Sequence, residues 1–180
     1  MGDQPASVPA KMPGQKFPPN AVHLVRTVEQ INVQLSQMAD QKASILMGAT
    51  FVVFTISIGQ ARSGGELVLP LMVLAFFSFV SAMLAVFAVL PATKARPGAN
   101  PNILFFGQFT QMSETEFADR VIAELHDEEA LYRLMLRDVY QNGQVLQNKK
   151  YRYLGLAYRT FLIGLVTTFA TFAAQHLLQA

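Results

Sequence analysis

The sequence predicts an all-α, multi-pass membrane protein with three transmembrane helices, the first and third of which extend into a cytosolic helical bundle. Hydrophobic residues make up 52% of the 180-residue chain and charged residues only 14%, with a mean hydropathy of +0.29. That is too apolar for an ordinary soluble domain of this size. Three apolar runs, residues 43–61, 67–90 and 155–174, each supply about 20 residues, the length that crosses a hydrocarbon core of roughly 30 Å. The segments before the first and third runs carry helical periodicity that leads straight into the apolar stretch.

The elements follow in order. Residues 1–20 hold Pro5, Pro9, Pro13, Pro18 and Pro19 among small and polar residues, without the apolar core of a secretory signal, and are expected to form a disordered tail. In residues 21–42, Leu24, Val28, Ile31, Leu35 and Met38 recur at alternating steps of four and three. This is the seam of a helix packed along a partner helix, and no breaker separates it from the first span. The link "RSGGE" is a turn's length, so the first two spans form a hairpin. Pro70 falls in the first turn of the second span, where a missing N–H does little harm, and Pro91 closes that span.

Lys42, Lys94, Arg96, Lys149, Lys150 and Arg152 flank one side of the spans, whereas the hairpin offers only Arg62. The positive-inside rule then places the N-terminus and the central segment in the cytoplasm. Residues 92–154, entered through the joint "PATKARPGANPN", form a cytosolic insert. In it "SETEF" sets Ser113 three residues before Glu116, a capping-box signal for a helix with Phe117, Val121, Ile122 and Leu125 as its apolar residues. A second helix starts near Asp127, where "DEEA" puts acids in the first turn. Tyr132, Leu136, Val139, Gly143, Leu146, Lys150 and Tyr153 then form a seam that enters the third span, so two long helices run in parallel.

Enzyme chemistry finds no support in the motifs. The chain has no Cys, no phosphate-binding glycine loop, no nucleophile elbow and no zinc-protease helix motif. His23, His126 and His176 are far apart, and His126-Asp127 lacks the other ligands of a metal phosphohydrolase. No catalytic residue, metal ligand or cofactor is expected. The net charge of +2 comes from scattered basic residues, which is no footprint for nucleic acid.

Candidate ligand-binding residues gather near the cytosolic mouth. Asp40 and Lys42, two apart on a helix, point to different faces and do not pair with each other. Either they mark the waterline, with Lys42 snorkelling, or each finds a partner elsewhere. Asp40 lies about three residues below the first span and Lys150 about five below the third; at 1.5 Å per residue their depths differ by only about 3 Å, so a contact is geometrically possible. Gly143 suggests close approach of a backbone or ligand, or a kink. Asn142 and Asn148 have the donors and acceptors to read a base edge, and Lys149, Lys150 or Arg152 the charge to neutralise a phosphate. In "NPNILFFGQF", Asn102 sits at a turn, and Phe105 and Phe106 either pack into the cytosolic core or offer a platform on which a base stacks. Each of these residues also has a plain reading as solvated surface or packing.

Arg159, one turn inside the third span, is close enough to the interface to snorkel. Other polar residues within the spans are Ser, Thr and Gln, so no proton relay or charged ion path is visible. Three such spans make a poor pore alone, which predicts a homo-oligomer, with Gly48, Ala49, Ser78, Ser81 and Gly164 as candidates for close packing.

"ADQKASILMGA" before the first span, "NPNILFFGQF" after the second and "LMLRDVYQNGQVLQNKKYRYLGLAYRTFLIG" entering the third resemble the Pycsar transmembrane effector family. The likeness runs from about Val22 to Phe172. It implies an anti-phage effector that senses a cyclic pyrimidine mononucleotide, cUMP or cCMP, made on infection by a partner uridylate or cytidylate cyclase. Sensing then leads to damage of the inner membrane and abortive infection. No ligand residue comes with the resemblance, so Asp40, Lys42, Asn102, Phe105, Phe106, Asn142, Lys149 and Lys150 rest on the residues alone. A non-enzymatic scaffold and a small channel subunit without a nucleotide ligand are the alternatives.

Overall fold

The computed structural model describes residues 17–64, 68–91 and 102–179. Residues 1–16 of the Pro-rich tail, the tip of the hairpin, and most of the "PATKARPGANPN" joint with Lys94 and Arg96 lie outside the described residues. All regular structure among the described residues is helical: α1 (Ala21–Arg62), α2 (Val68–Val89), α3 (Phe106–Phe109), α4 (Glu114–Leu125), α5 (Glu128–Val145), a π turn (Leu146–Tyr151) and α6 (Arg152–Gln179).

Three helices are long and apolar enough to cross a membrane: α1, α2, and the unbroken rod formed by α5, the π turn and α6. The 42 residues of α1 extend for about 63 Å, roughly twice the hydrocarbon thickness, so part of α1 stands outside any bilayer it crosses. The same holds for the 51-residue stretch from Glu128 to Leu178. Each of the two rods therefore has a polar half and an apolar half.

In the apolar half α2 is the middle helix, packed along both α1 and α6, which scarcely touch each other there. Pairings show the directions. Ala43 clusters with Ala88, Leu46 with Ala85, and the Phe54 ring lies 5.7 Å from that of Phe79, so α1 and α2 are antiparallel. Ser81 Oγ donates to the Ala157 carbonyl at 2.8 Å, while Phe77 meets α6 at Gly164, so α2 and α6 are antiparallel too. At the polar end Asn32 bonds to Val139 and Asp40 to Lys150, pairs that rise together along the chain, so the two rods run parallel.

Small residues make this packing close. Ala75, Ser78, Ser81, Ala85 and Ala88 recur every three or four residues on α2 and are all buried, a spacing that lets backbones approach without a large side chain between them. Of the small residues singled out in the sequence, Ser78, Ser81 and Gly164 serve contacts within the chain, whereas Gly48 and Ala49 are exposed. Thr50, fully buried, returns its hydroxyl to the Leu46 and Met47 carbonyls, so it adds no unsatisfied donor to the apolar core.

The seam expected on α1 is not the face α1 packs with. Leu24, Val28, Ile31 and Met38 are 68%, 38%, 47% and 41% exposed, while Val25, Ala39, Ala43 and Leu46 are buried. The inward face is built from smaller and polar side chains, which is what close approach to α5 and the π turn needs. On the other rod Leu134 and Leu146 are buried but Leu136, assigned to the seam, is 52% exposed. The rod is also interrupted by a π turn that no pattern announced.

In the insert α4 and α5 begin at side-chain caps, whereas α3 has none. Ser113 Oγ accepts from the Glu116 N–H at 3.2 Å and Asp127 Oδ1 from the Glu129 N–H at 3.0 Å. The capping box is only half made, because the Glu116 carboxylate accepts from Arg120 rather than reaching back to Ser113. Phe17, within the segment expected to be a tail, packs its ring 4.7 Å from that of Tyr132, and the Pro18 carbonyl accepts the Ala21 N–H.

Candidate functional site: a groove between α1 and the π turn

A π turn holds one residue more than an α-turn over the same rise, and such bulges concentrate at functional sites. Here two consecutive cations of the turn reach different helices. Lys149 Nζ donates to the Leu90 carbonyl at 2.7 Å and the Pro91 carbonyl at 3.3 Å, covering acceptors left open at the C-terminal end of α2. Lys150 Nζ turns to α1, where it donates to Asp40 Oδ2 at 2.6 Å and Ser36 Oγ at 2.7 Å. The Tyr151 hydroxyl donates to the Leu35 carbonyl at 3.4 Å. One turn of helix thus ties α1 and α2 to α6.

The Lys150–Asp40 pair is half-sheltered, with side-chain exposures of 19% and 39%. Asp40 Oδ1 is buried without a hydrogen-bond partner. A carboxylate with one oxygen unsatisfied loses more in desolvation than a fully bonded one, which leaves this ion pair open to exchange.

Beside Lys150 the two rods leave a groove of about 260 Å³, lined by Glu29, Asn32, Ser36, Gln37 and Asn142 together with apolar Val33, Val145 and Leu146. Glu29, Asn32, Ser36 and Asp40 recur at helical spacing on one face of α1, opposite Asn142 and Lys150. The site therefore has one cation, Lys150, two carboxylates, Glu29 in the lining and Asp40 paired with Lys150, and amides and a hydroxyl above an apolar floor. That set suits a small polar organic ligand. Asn32 Nδ2 already donates to the Val139 carbonyl at 3.1 Å, fixing the lower end of the groove.

The sequence-derived candidates fall into three places. Asn142 and Lys150 line the groove, and Asp40 stands beside it through its ion pair with Lys150. Asn102 is 5% exposed and bound to α5 by a bond from its Nδ2 to Asp138 Oδ1 at 2.7 Å, while its Oδ1 accepts the Leu104 N–H at 3.0 Å. Asn142 donates to the other carboxylate oxygen, Asp138 Oδ2, at 2.9 Å. Asn102 thus staples the loop to α5. Phe105 and Phe106 stack on each other, with centroids 4.9 Å apart, and do not line the groove. Lys42 is exposed, and Lys149 caps α2 instead of facing the groove. Gly143 borders Asn32 without crowding, since a Cβ there would sit 3.9 Å from Asn32 Nδ2.

Ser36, Asn32, Glu29 and Asp138 are members that reading for single motifs missed. Their signal was the polar stripe at steps of three and four on α1, and the four-residue step from Asp138 to Asn142. Among the described residues no group of His, Asp and Glu could hold a metal ion.

Comparison with curated proteins and with solved structures gives no significant match. Residues 23–176, from the first turn of α1 to the last turns of α6, match the Pycsar effector protein domain, PycTM. This is not a family of enzymes, and it points to a membrane effector of anti-phage defence. With the match spanning both long rods and the hairpin between them, the chain belongs to the Pycsar effector family.

Proposed function

We propose that this protein is the membrane effector of an anti-phage system, that its groove binds cUMP or cCMP made by a partner cyclase on infection, and that binding leads to loss of inner-membrane integrity and cell death. The polar half then faces the cytoplasm, as the cluster of Lys42, Lys149, Lys150 and Arg152 at that end favours. The observation that carries the ligand assignment is the position of Lys150 at the edge of the groove. Its partners Asp40 and Ser36 are groups that a cyclic phosphate can replace, and Asn142 and Gln37 offer paired donors and acceptors to a pyrimidine edge.

The groove's volume of about 260 Å³ lies just under the roughly 300–1,000 Å³ usual for small-molecule sites. In this reading the ligand displaces Asp40 from Lys150, which frees α1 to move relative to the π turn. A swing from 1:99 to 99:1 between two arrangements needs about 5.5 kcal/mol of differential binding, a requirement that several subunits can share. The exposed seam of Leu24, Val28, Ile31 and Met38 supports a homo-oligomer. Copies in one membrane run parallel, so identical seams meet in register, and the flanking Thr27, Gln34 and Gln41 carry no charge to oppose pairing.

The test is membrane depolarisation in cells expressing the protein while cUMP, cCMP, cAMP or cGMP is generated in turn, paired with calorimetry on purified protein. Depolarisation and binding with a pyrimidine nucleotide are expected. Silence with all four would overturn the reading and leave a scaffold without a nucleotide ligand; ion flux without any of them would indicate a channel subunit.

A further inference from the structure

On the other side of the π turn, a second polar crevice of about 420 Å³ is lined by Asn148, Tyr151, Arg152, Gly155 and Arg159, among others. Its floor is Gly155, where a Cβ would meet nothing within 4 Å, so the space above the backbone is open. Arg152 and Arg159 stand at the two ends, seven residues apart and hence on one face, about 10.5 Å along the axis. Helical side chains lean toward the N-terminus, so Arg159 leans back over Gly155 toward Arg152. Both arginines are exposed.

Neither arginine has a carboxylate partner among the described residues. The other ion pairs there are those of Arg120 with Glu116, Arg133 with Glu129 and Lys150 with Asp40. Arg159 also lies within the apolar stretch of α6, flanked by exposed Leu156, Leu162 and Ile163. An uncompensated Arg at mid-membrane costs about 2.5–3.5 kcal/mol, less near the surface, and the requirement falls away once an anion meets the guanidinium.

We propose that this crevice is a phosphodiester-binding site at the membrane surface, in which Arg152 and Arg159 clamp one phosphate above Gly155. Both planar forks line the same crevice and offer donors of the geometry that phosphate oxygens match. Gly155 supplies the room. A net anionic ligand is selected, because a choline ammonium beside the phosphate meets two like charges and no acid. Two sources fit this chemistry: the headgroup of an anionic glycerophospholipid, and a soluble cyclic mononucleotide. The site is separate from the groove, on the opposite side of Lys149 and Lys150, and does not rest on the function proposed for that groove.

The experiment uses the full chain in neutral detergent. Phosphatidylglycerol, phosphatidylcholine and cUMP are titrated separately, with thermal stability and native mass spectrometry as readouts, for wild type, R152Q, R159Q and R152K. Phosphatidylglycerol is expected to bind at least roughly tenfold more tightly than phosphatidylcholine, with each Gln variant losing about tenfold and R152K losing less. If cUMP instead gives the shift that R152Q and R159Q abolish, the phosphodiester is the nucleotide's. Equal binding of the two lipids by wild type, with no arginine-dependent effect of cUMP, would overturn the proposal. So would unchanged binding of every ligand by both folded Gln variants.

Discussion

Lys150 Nζ lies 2.6 Å from Asp40 Oδ2, joining the two long rods where their polar halves meet the apolar ones. If this ion pair holds the groove narrow and Lys150 also anchors the ligand phosphate, the two partners have opposite phenotypes. Lys150→Ala is expected to abolish nucleotide-dependent depolarisation. Asp40→Asn, which weakens the narrow arrangement but leaves the cation, is expected to shift the response to roughly tenfold lower nucleotide, equivalent to about 1.4 kcal/mol. Dose–response curves in reconstituted vesicles separate these outcomes. Identical loss in both variants indicates a purely structural pair.

Lys149 predicts a local effect. Its ammonium meets the carbonyls of Leu90 and Pro91 at the end of α2, an interaction of about 0.3–1 kcal/mol at an exposed helix terminus. Lys149→Ala should speed hydrogen exchange in the last turn of α2 several-fold, with nucleotide binding in the groove retained. Lys149→Arg should restore protection. A loss of nucleotide affinity in Lys149→Ala would place this residue in the ligand site after all.

The fold was more legible than the site. Apolar runs of spanning length name α1, α2 and α6 directly, because a bilayer imposes length and hydropathy on each segment alone. The caps at Ser113 and Asp127 are equally local. The Asp40–Lys150 contact was legible as a matter of depth, since both rods are parallel and continuous. The seam of Leu24, Val28, Ile31 and Met38 has the right periodicity but is not the face that α1 packs with inside the chain, where Val25, Asn32, Ser36 and Ala39 permit closer approach to the neighbouring helices. Periodicity finds a face without saying which partner covers it. The π turn has no pattern in the sequence, so the partners of Lys149 and Lys150 could not be read from helical spacing.

Asp138 serves two amides at once, accepting from Asn102 at 2.7 Å and Asn142 at 2.9 Å. Asp138→Ala leaves the buried Asn102 amide without its acceptor, which costs about 1–3 kcal/mol. The loop carrying Phe105 and Phe106 should then detach from α5, read as faster limited proteolysis between residues 102 and 112. Asp138→Asn, which keeps one acceptor oxygen, should lie between. Protection unchanged in both variants would show that the bond from Asn102 to Asp138 does not hold the loop.

Two glycines give the sharpest contrast in the packing. A Cβ at Gly164 would collide with the Phe77 Cβ and lie 2.9 Å from its Cγ, whereas a Cβ at Gly143 would have its nearest neighbour at 3.9 Å, the Asn32 amide nitrogen. At Gly143 an added methyl meets ordinary van der Waals space, so the helix gains the propensity difference between Ala and Gly, about 1 kcal/mol. At Gly164 the obstacle is the stem of Phe77, which no rotamer change moves aside, so α2 and α6 must separate. Overpacking of this kind costs about 1–3 kcal/mol, and it weakens the neighbouring bond from Ser81 Oγ to the Ala157 carbonyl. Gly143→Ala is therefore expected to raise the unfolding midpoint in detergent and Gly164→Ala to lower it. A Gly164→Ala variant as stable as the wild type would mean that α2 and α6 do not meet at this pair in the membrane.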